Sequence, residues 1–455
     1  MNASHPIAQF KSYSAYKPSG VVWLGDIPEH WGVPRGKALL IPIDIRSSTG
    51  DEELLIVSAR HGVIPRESAS VTMFKAESYA GYKLCWPGDL VINSLWAWAH
   101  GLGVSRHHGI VSSAYGVYRP LPKVDARFVH LLVRSVPFQW ELQVRSKGIW
   151  LSRLQLTDEA FLGAPIPLPP LPEQRSIVRY LDYVDRRIRR YVDAKRKLIA
   201  LLEEERKNST HEAIQSLDTR SHRLEAVASL VARPIERSSV KTYIPIGLYN
   251  RGRGMFRKEL RSGNELGDSS FFWVKEGDLV ISGQFAWEGA IALATGIEDG
   301  CVASHRYPIL RGKPGILDSG FLLSFFQTAW GQLLLDHHSR GAAGRNRPLN
   351  IRTLLKEAIS LPPLESQSQI SEMLQRESYV RQQVRLSEQL LMEYRTRLIA
   401  DVVTGRLDVR DAAAQLPDEA EDDVPIGEGG PQQNGFFEGP YDAEKEPAIA
   451  DEVTT

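Results

Sequence analysis

The chain has only two cysteines in 455 residues, Cys85 and Cys301, far apart and in no metal-binding spacing. This excludes a disulfide framework or a paired-cysteine zinc site and fits a reducing, cytoplasmic setting. Long apolar runs are also missing. The richest, Phe321 to Leu335, is broken by Ser324, Gln327, Thr328, Gly331 and Gln332, and so predicts a buried or amphipathic helix rather than a membrane span. Met1 to Gly20 is polar and lacks the apolar core of a signal peptide.

Catalytic signatures are absent as well. There is no Gly-x4-Gly-Lys-Ser/Thr phosphate loop, no Gly-x-Ser-x-Gly elbow and no Asp/Asn-Pro-Pro-Tyr/Phe tetrapeptide of the kind that adenine methyltransferases carry. His211-Glu212 opens like a zinc-protease helix, but Gln215 stands where the second histidine would be. Gly101-x-Gly103 and Gly252-x-Gly254 lack the third glycine and the acidic residue of a dinucleotide fingerprint. These gaps predict a binder without catalytic residues or metal ligands, not a self-contained nuclease or methyltransferase.

Net charge is zero, but unevenly spread. Asp411 to Thr455 holds thirteen acidic residues against Lys445 alone, a net of −12, which leaves +12 on residues 1–410. A basic body favours anionic partners, and so acidic and Gly/Pro-rich a tail is expected to stay disordered. The tail reads either as a solvated extension or as a decoy competing for the basic body.

What the chain does contain is a duplication. Leu168-Pro169-Pro170-Leu171 with Gln174 and Ile177 recurs 193 positions later as Leu361-Pro362-Pro363-Leu364 with Gln367 and Ile370. Upstream, Gly88-Asp89-Leu90-Val91-Ile92 recurs as Gly277-Asp278-Leu279-Val280-Ile281, and Ala97-Trp98 as Ala286-Trp287. A Val-x-Ser step follows in each copy (Val111, Val302), then a glycine-led loop (Gly148, Gly341). So long a period means two copies of a whole domain, not a solenoid.

After each Leu-Pro-Pro-Leu comes a segment with heptad-like spacing. The first seam reads Ile177, Leu181, Val184, Ile188, Tyr191, Lys195, Leu198, Leu202, and the second Ile370, Met373, Glu377, Val380, Val384, Ser387, Leu391, Tyr394, Leu398. Some forty residues give rods of roughly 60 Å. Each is expected to bury its seam against the other as an antiparallel pair with approximate two-fold symmetry; packing on its own domain or dimerisation are the alternatives. Between the rods lie two mixed domains. Strands are predicted at Leu54–Val57, Asp89–Asn93, Gly109–Val111, Tyr243–Ile246, Asp278–Ser282 and Ala290–Ala294, and helices at Phe128–Val144 and Phe321–Asp336. The predicted fold class is thus α+β: two similar mixed α/β domains separated by two long antiparallel coiled-coil helices.

Candidate DNA contacts in the first domain are Arg60, His61, Arg66, Arg106, His107, Arg145, Lys147 and Arg153. In the second they are Asn250, Arg251, Arg253, Arg257, Arg340, Arg345, Asn346 and Arg347. Arginine pairs bidentately with guanine, asparagine with adenine, and glycines beside them let backbone approach phosphate. The bland reading of any one of them is a solvated surface charge. Arg186, Arg187, Arg189 and Arg190 on the first rod could touch phosphate or simply form its outer face. Trp96-Ala97-Trp98 and Phe285-Ala286-Trp287 fit core packing better than base stacking.

With these residues in view the chain resembles the specificity (S) subunit of type I restriction-modification enzymes. The resemblance rests on Trp23-Leu24-Gly25-Asp26-Ile27-Pro28-Glu29-His30-Trp31, the Gly-Asp-Leu-Val strands, Pro165-Ile166-Pro167-Leu168-Pro169-Pro170-Leu171-Pro172-Glu173-Gln174 and its weaker second copy, and extends to about Arg410. It implies an N-terminal arm (1–19), target recognition domains at 20–165 and 218–358, spacer helices at 166–217 and 359–410, and, outside the resemblance, an acidic tail (411–455). Each domain would read half of a bipartite asymmetric site in double-stranded DNA. The helices would act as a ruler and dock two methylation (M) subunits, and two restriction/translocation (R) subunits would complete the complex. Cofactors are implied for those partners only: S-adenosylmethionine, ATP and Mg. The second boundary departs from the pattern, with Glu365-Ser366-Gln367 where the first has Pro172-Glu173-Gln174. A non-catalytic coiled-coil adaptor with two protein-binding domains is the rival reading.

Overall fold

The computed structural model describes residues 11–69, 78–148, 154–341 and 347–417. Both long segments are helices: Leu171–Gln215, 45 residues, and Leu364–Val403, 40 residues. Their sequences explain their length. Pro172 falls in the first turn, where its missing N–H costs nothing, and no other proline or glycine follows. The second helix stops at Thr404-Gly405. Gly405 has φ +79°, and a Cβ there would lie 2.4 Å from Pro28 Cδ, so only glycine ends the helix against that wall.

The chain divides into two compact units, residues 1–189 with 389–455, and residues 190–388. Each unit holds part of both long helices. In unit one, Asp185 meets Arg395 while Ile177 and Tyr180 share a core with Val402 and Val403, so the helices run antiparallel. In unit two, Arg196 meets Glu388 at 3.2 Å, Arg206 meets Glu377 at 2.8 Å, and Ala213 and Ile214 pack with Ile370 and Leu374. The direction is again antiparallel.

The seam of the first helix differs from the heptad reading. Ile177, Leu181 and Ile188 are buried, but Tyr191 and Leu198 are exposed, and the covered positions continue through Val192, Ile199 and Leu202 to Arg206 and Thr210. A straight helix turns every 3.6 residues, so a strict seven-residue stripe drifts off the contact line and the seam steps by one. On the second helix the expected positions hold from Ile370 to Leu391; Tyr394 is exposed and Arg395 takes the inward place.

The two mixed bodies repeat one topology. In unit one a four-stranded antiparallel sheet has the order Leu40–Pro42, Gly116–Pro120, Leu90–Ile92, Leu102–Val104. In unit two the order is Ala228–Leu230, Ile309–Gly312, Leu279–Ile281, Ile291–Leu293. Each body adds a β-hairpin, Leu55–Ser58 with Gly62–Pro65 and Ile246–Leu248 with Met255–Arg257. The helices expected at Phe128–Val144 and Phe321–Asp336 are each two. Ala126–Val133 is followed by Val136–Arg145, which begins with Pro137 in its first turn, and Ser319–Phe326 is followed by Ala329–His337, capped by Thr328.

Two boundaries move. Tyr13 is buried and Tyr16–Pro18 pairs with Asp26–Pro28, so the arm expected at 1–19 is built into unit one from Lys11 onward. Arg410–Ala414 is a helical turn with Ala413 in the core, so the acidic segment begins inside the fold; the rest of the tail, from 418, lies outside the described residues.

Candidate nucleic-acid interface

The matched sequence features turn out to be structural. Gln174 is fully buried; its Nε2 donates to the Pro169 and Lys123 carbonyls (2.8 and 3.2 Å) and its Oε1 accepts from Asp125 N (2.7 Å). Gln367 repeats this with Pro362, Ile316 and Asp318 N (2.9, 3.2 and 2.9 Å). Asp125 and Asp318 are the N-caps of Ala126–Val133 and Ser319–Phe326, so each glutamine fastens a long helix to the helix start of its own body. Asp89 and Asp278, of the two Gly-Asp-Leu-Val strands, are buried acceptors. Asp89 binds Arg119 bidentately (2.8 and 2.9 Å), and Asp278 binds Arg233 (2.6 Å) and Arg311 (2.9 Å).

The boundary that departs from the repeat also has a physical cause. Glu173 is buried and accepts from Tyr13 Oη (2.7 Å), His30 Nε2 (2.7 Å) and Trp31 Nε1 (3.0 Å). These donors come from the opening segment, which occurs once in the chain, ahead of the first copy. Burial and the Glu173 carboxylate both push the Tyr13 phenol far above its ordinary value.

Five of the candidate DNA contacts, Arg60, His61, Asn250, Arg251 and Arg253, lie at the two hairpin tips. In unit two, the tip Asn250–Gly254 is pinned to the turn Ala286–Gly289: Arg251 N donates to Glu288 O and Gly252 N to Gly289 O, both at 2.7 Å. Asn250 Nδ2 donates to the Glu288 carboxylate, and Arg253 lies 5.2 Å over the Tyr249 ring. Arg251 is exposed with φ +60°, a left-handed conformation that costs a non-glycine residue about 1–2 kcal/mol and is held by those amide contacts. Arg347 joins the same turn, 4.8 Å over the Trp287 ring and paired with Asp336 (2.9 Å). Gln332 Nε2 donates to Trp287 O (2.7 Å) from helix Ala329–His337. Asn250, Arg251, Arg253 and Arg347 thus form one cluster.

In unit one the equivalent tip carries Arg60 and His61. Arg134 Nη2 donates to the Ala59 and Arg60 carbonyls (2.6 and 3.1 Å), and Nη1 to Leu102 O and His100 O (2.7 and 3.2 Å). His100 has φ +62° at the place that Gly289 fills in unit two, and its N–H donates to Gln139, the match of Gln332. Desolvation, then the charges of Arg60, Arg134 and Arg189, push the His61 imidazole below its ordinary value. Desolvation, then Arg127 and Arg189, act likewise on Arg106. Burial and the nearby Arg395 and Arg127 bring Arg134 down to about 10. Burial is the largest cause of each shift, and the charges around Arg106 are mixed, Arg127 and Arg189 alongside Asp182 and Asp185.

Other candidates fall elsewhere. Arg145 pairs with Glu141 (2.5 Å) and donates to the Ala160 carbonyl (3.4 Å), tying helix Val136–Arg145 to its neighbour. Arg66 and Arg257 sit at the bases of their hairpins, Arg66 against Tyr79 Oη (3.3 Å), away from the tips. The backbone of His107 is held at both ends by Ser105 Oγ (2.8 and 3.1 Å). Lys147 and Arg340 are exposed. Arg153, Arg345 and Asn346 lie outside the described residues. Arg134, Gln139, Gln332 and Glu288 were missed as positioning residues. The 193-residue spacing of the two glutamines was the available signal.

Among the described residues no group of three or more His, Cys, Asp or Glu could hold a metal ion, and no helix is long and apolar enough to cross a membrane. No protein-family profile matches the chain, and no curated protein matches it significantly. Solved structures do. The chain shares its fold with one from a structure addressing complex assembly and conformational transition of the type I R-M system, at TM-score 0.55 and 18% identity over 84% of this chain and 99% of that one. Two further matches have TM-scores of 0.43. They are the HsdS subunit from Thermoanaerobacter tengcongensis (17% identity, 84% of this chain, 98% of that one) and the type I restriction-modification S subunit from M. genitalium (11%, 82% and 96%). What the chain has in common with the first of these is the fold, mixed domains combined with two long helices.

Proposed function

We propose that this chain is the specificity subunit of a type I restriction-modification complex. The observation that carries the reading is the repeated tip: each unit presents a basic hairpin turn, fixed through Arg134 in unit one and by the turn Ala286–Gly289 in unit two, on a body fastened to paired long helices. Two such readers suit a bipartite asymmetric site in double-stranded DNA, one half to each. Backbone-fixed arginines and an asparagine suit phosphate and base-edge contacts.

In this reading the chain selects sequence and spacing and performs no chemistry of its own. The long helices scaffold two methylation subunits, and two restriction subunits join them; S-adenosylmethionine, ATP and Mg belong to those partners, and the complex works in the cytoplasm. The adaptor reading is separated by salt. A reader of phosphates loses affinity steeply between 50 and 200 mM salt, and Arg60→Ala or Arg251→Ala should each reduce the log–log slope by about one. Binding to duplex DNA that ignores salt contradicts the proposal.

A further inference from the structure

Within unit two, Arg206 joins three elements. Its guanidinium, 1% exposed on the first long helix, donates to Glu377 on the second (2.8 Å) and to Ser324 Oγ on helix Ser319–Phe326 of the mixed body (3.1 Å). Arg381 reinforces the acid, reaching Glu377 at 2.7 Å and Glu203 at 3.4 Å. A buried ion pair adds little net stability, because desolvating both charges offsets their attraction. What it adds is direction, since the fork of Arg206 satisfies both partners in one mutual setting of the three elements. The surrounding contacts among Phe321, Leu374, Ile370 and Ile214 are apolar, and such contacts tolerate small rotations. In unit one the position matched to Ser324 is Leu131, which can accept no hydrogen bond.

We infer that Arg206, through Glu377 and Ser324, is a positioning residue that fixes how the second mixed body is set on its helix pair, and thereby sets selectivity for the length of the unread spacer. The inference rests on the proposed two-part DNA reader. Each base pair of spacer moves a half-site by about 3.4 Å and about 35° around the duplex, so spacer selectivity needs a body that does not swivel.

The test uses the complex reconstituted with its methylation subunits, on duplexes carrying the native spacer or one base pair more or fewer. Ser324→Ala removes the link to the mixed body and leaves the ion pair intact. The double variant R206M/E377L replaces the pair by apolar side chains of similar volume, a change that buried pairs often tolerate, and so keeps the test open if a single Arg206 variant fails to fold. Both should retain the half-site sequences and near-native methylation of the native spacer, while discrimination against altered spacers falls about tenfold, the worth of one charge-assisted hydrogen bond. Unchanged discrimination, or a uniform loss on all spacers, overturns the inference. A wild-type complex with no spacer preference overturns the underlying reading, and this inference with it.

Discussion

Gln174 and Gln367 show how a short repeated motif can be legible as important and illegible in role. Their spacing from Leu-Pro-Pro-Leu marked them at once, yet their partners, Asp125 and Asp318, stand 49 residues upstream of each, where the matching 193-residue spacing went unread. Gln174→Leu takes away the partner of the buried Pro169 carbonyl and of the part-buried Lys123 carbonyl and Asp125 N–H, and should cost about 2–3 kcal/mol in urea denaturation; a loss under about 0.5 kcal/mol contradicts the clamp. His130 allows a second test. Its Nδ1 accepts from Val104 N (3.1 Å), and burial, then Arg127 and Arg134, hold its pKa well below the usual histidine value. The unfolded chain takes up that proton below roughly pH 6.5 while the folded one does not, so stability falls on acidification by about 1.4 kcal/mol per pH unit until the folded pKa is reached. Hydrogen exchange should place the loss in unit one, since unit two has Leu323 at the matched position, and His130→Gln should abolish it. Of the candidate residues, those at the tips stand out in the sequence because arginine, asparagine and glycine cluster there. The pairing of Arg145 with Glu141, one helical turn away, was equally readable from their spacing.

The long helices were plain from an absence: no glycine or proline interrupts them beyond their first turn. Which residues face inward was less plain. A heptad template assumes a supercoil, whereas the contact line on the first helix follows the straight-helix period, so Tyr191 and Leu198 were placed on a seam that they leave. The difference is measurable. Ile177→Ala should destabilise unit one by about 2–4 kcal/mol, as for other buried large-to-small changes. Tyr191→Ala should cost less than about 0.5 kcal/mol; equal losses would restore the heptad seam. The paired short helices teach the same lesson. Continuous apolarity suggested one helix where Pro137 and Thr328 start new ones, because a proline or a side-chain cap outweighs an unbroken hydrophobic pattern.

As a molecule, the chain is a duplicated fold in which the repeats preserve the fastening and vary the tips. Arg60 and His61 in one copy answer to Asn250, Arg251 and Arg253 in the other, with hairpins, turns and helices in common. Different tips on one scaffold are what an asymmetric target demands. The duplication and fold class were readable from sequence because they rest on order and period. The compact units were not, because the first joins segments far apart in the chain, Met1–Arg189 with Gln389–Thr455, and both cuts fall inside the long helices rather than at a domain boundary. The most direct test is to map methylated adenines in cells carrying this chain, lacking it, or carrying a version with residues 218–358 exchanged for the corresponding domain of another specificity subunit. The account predicts a two-part motif that disappears with the chain and changes in one half alone after the exchange. A motif that persists without the chain, or that changes in both halves, would contradict it.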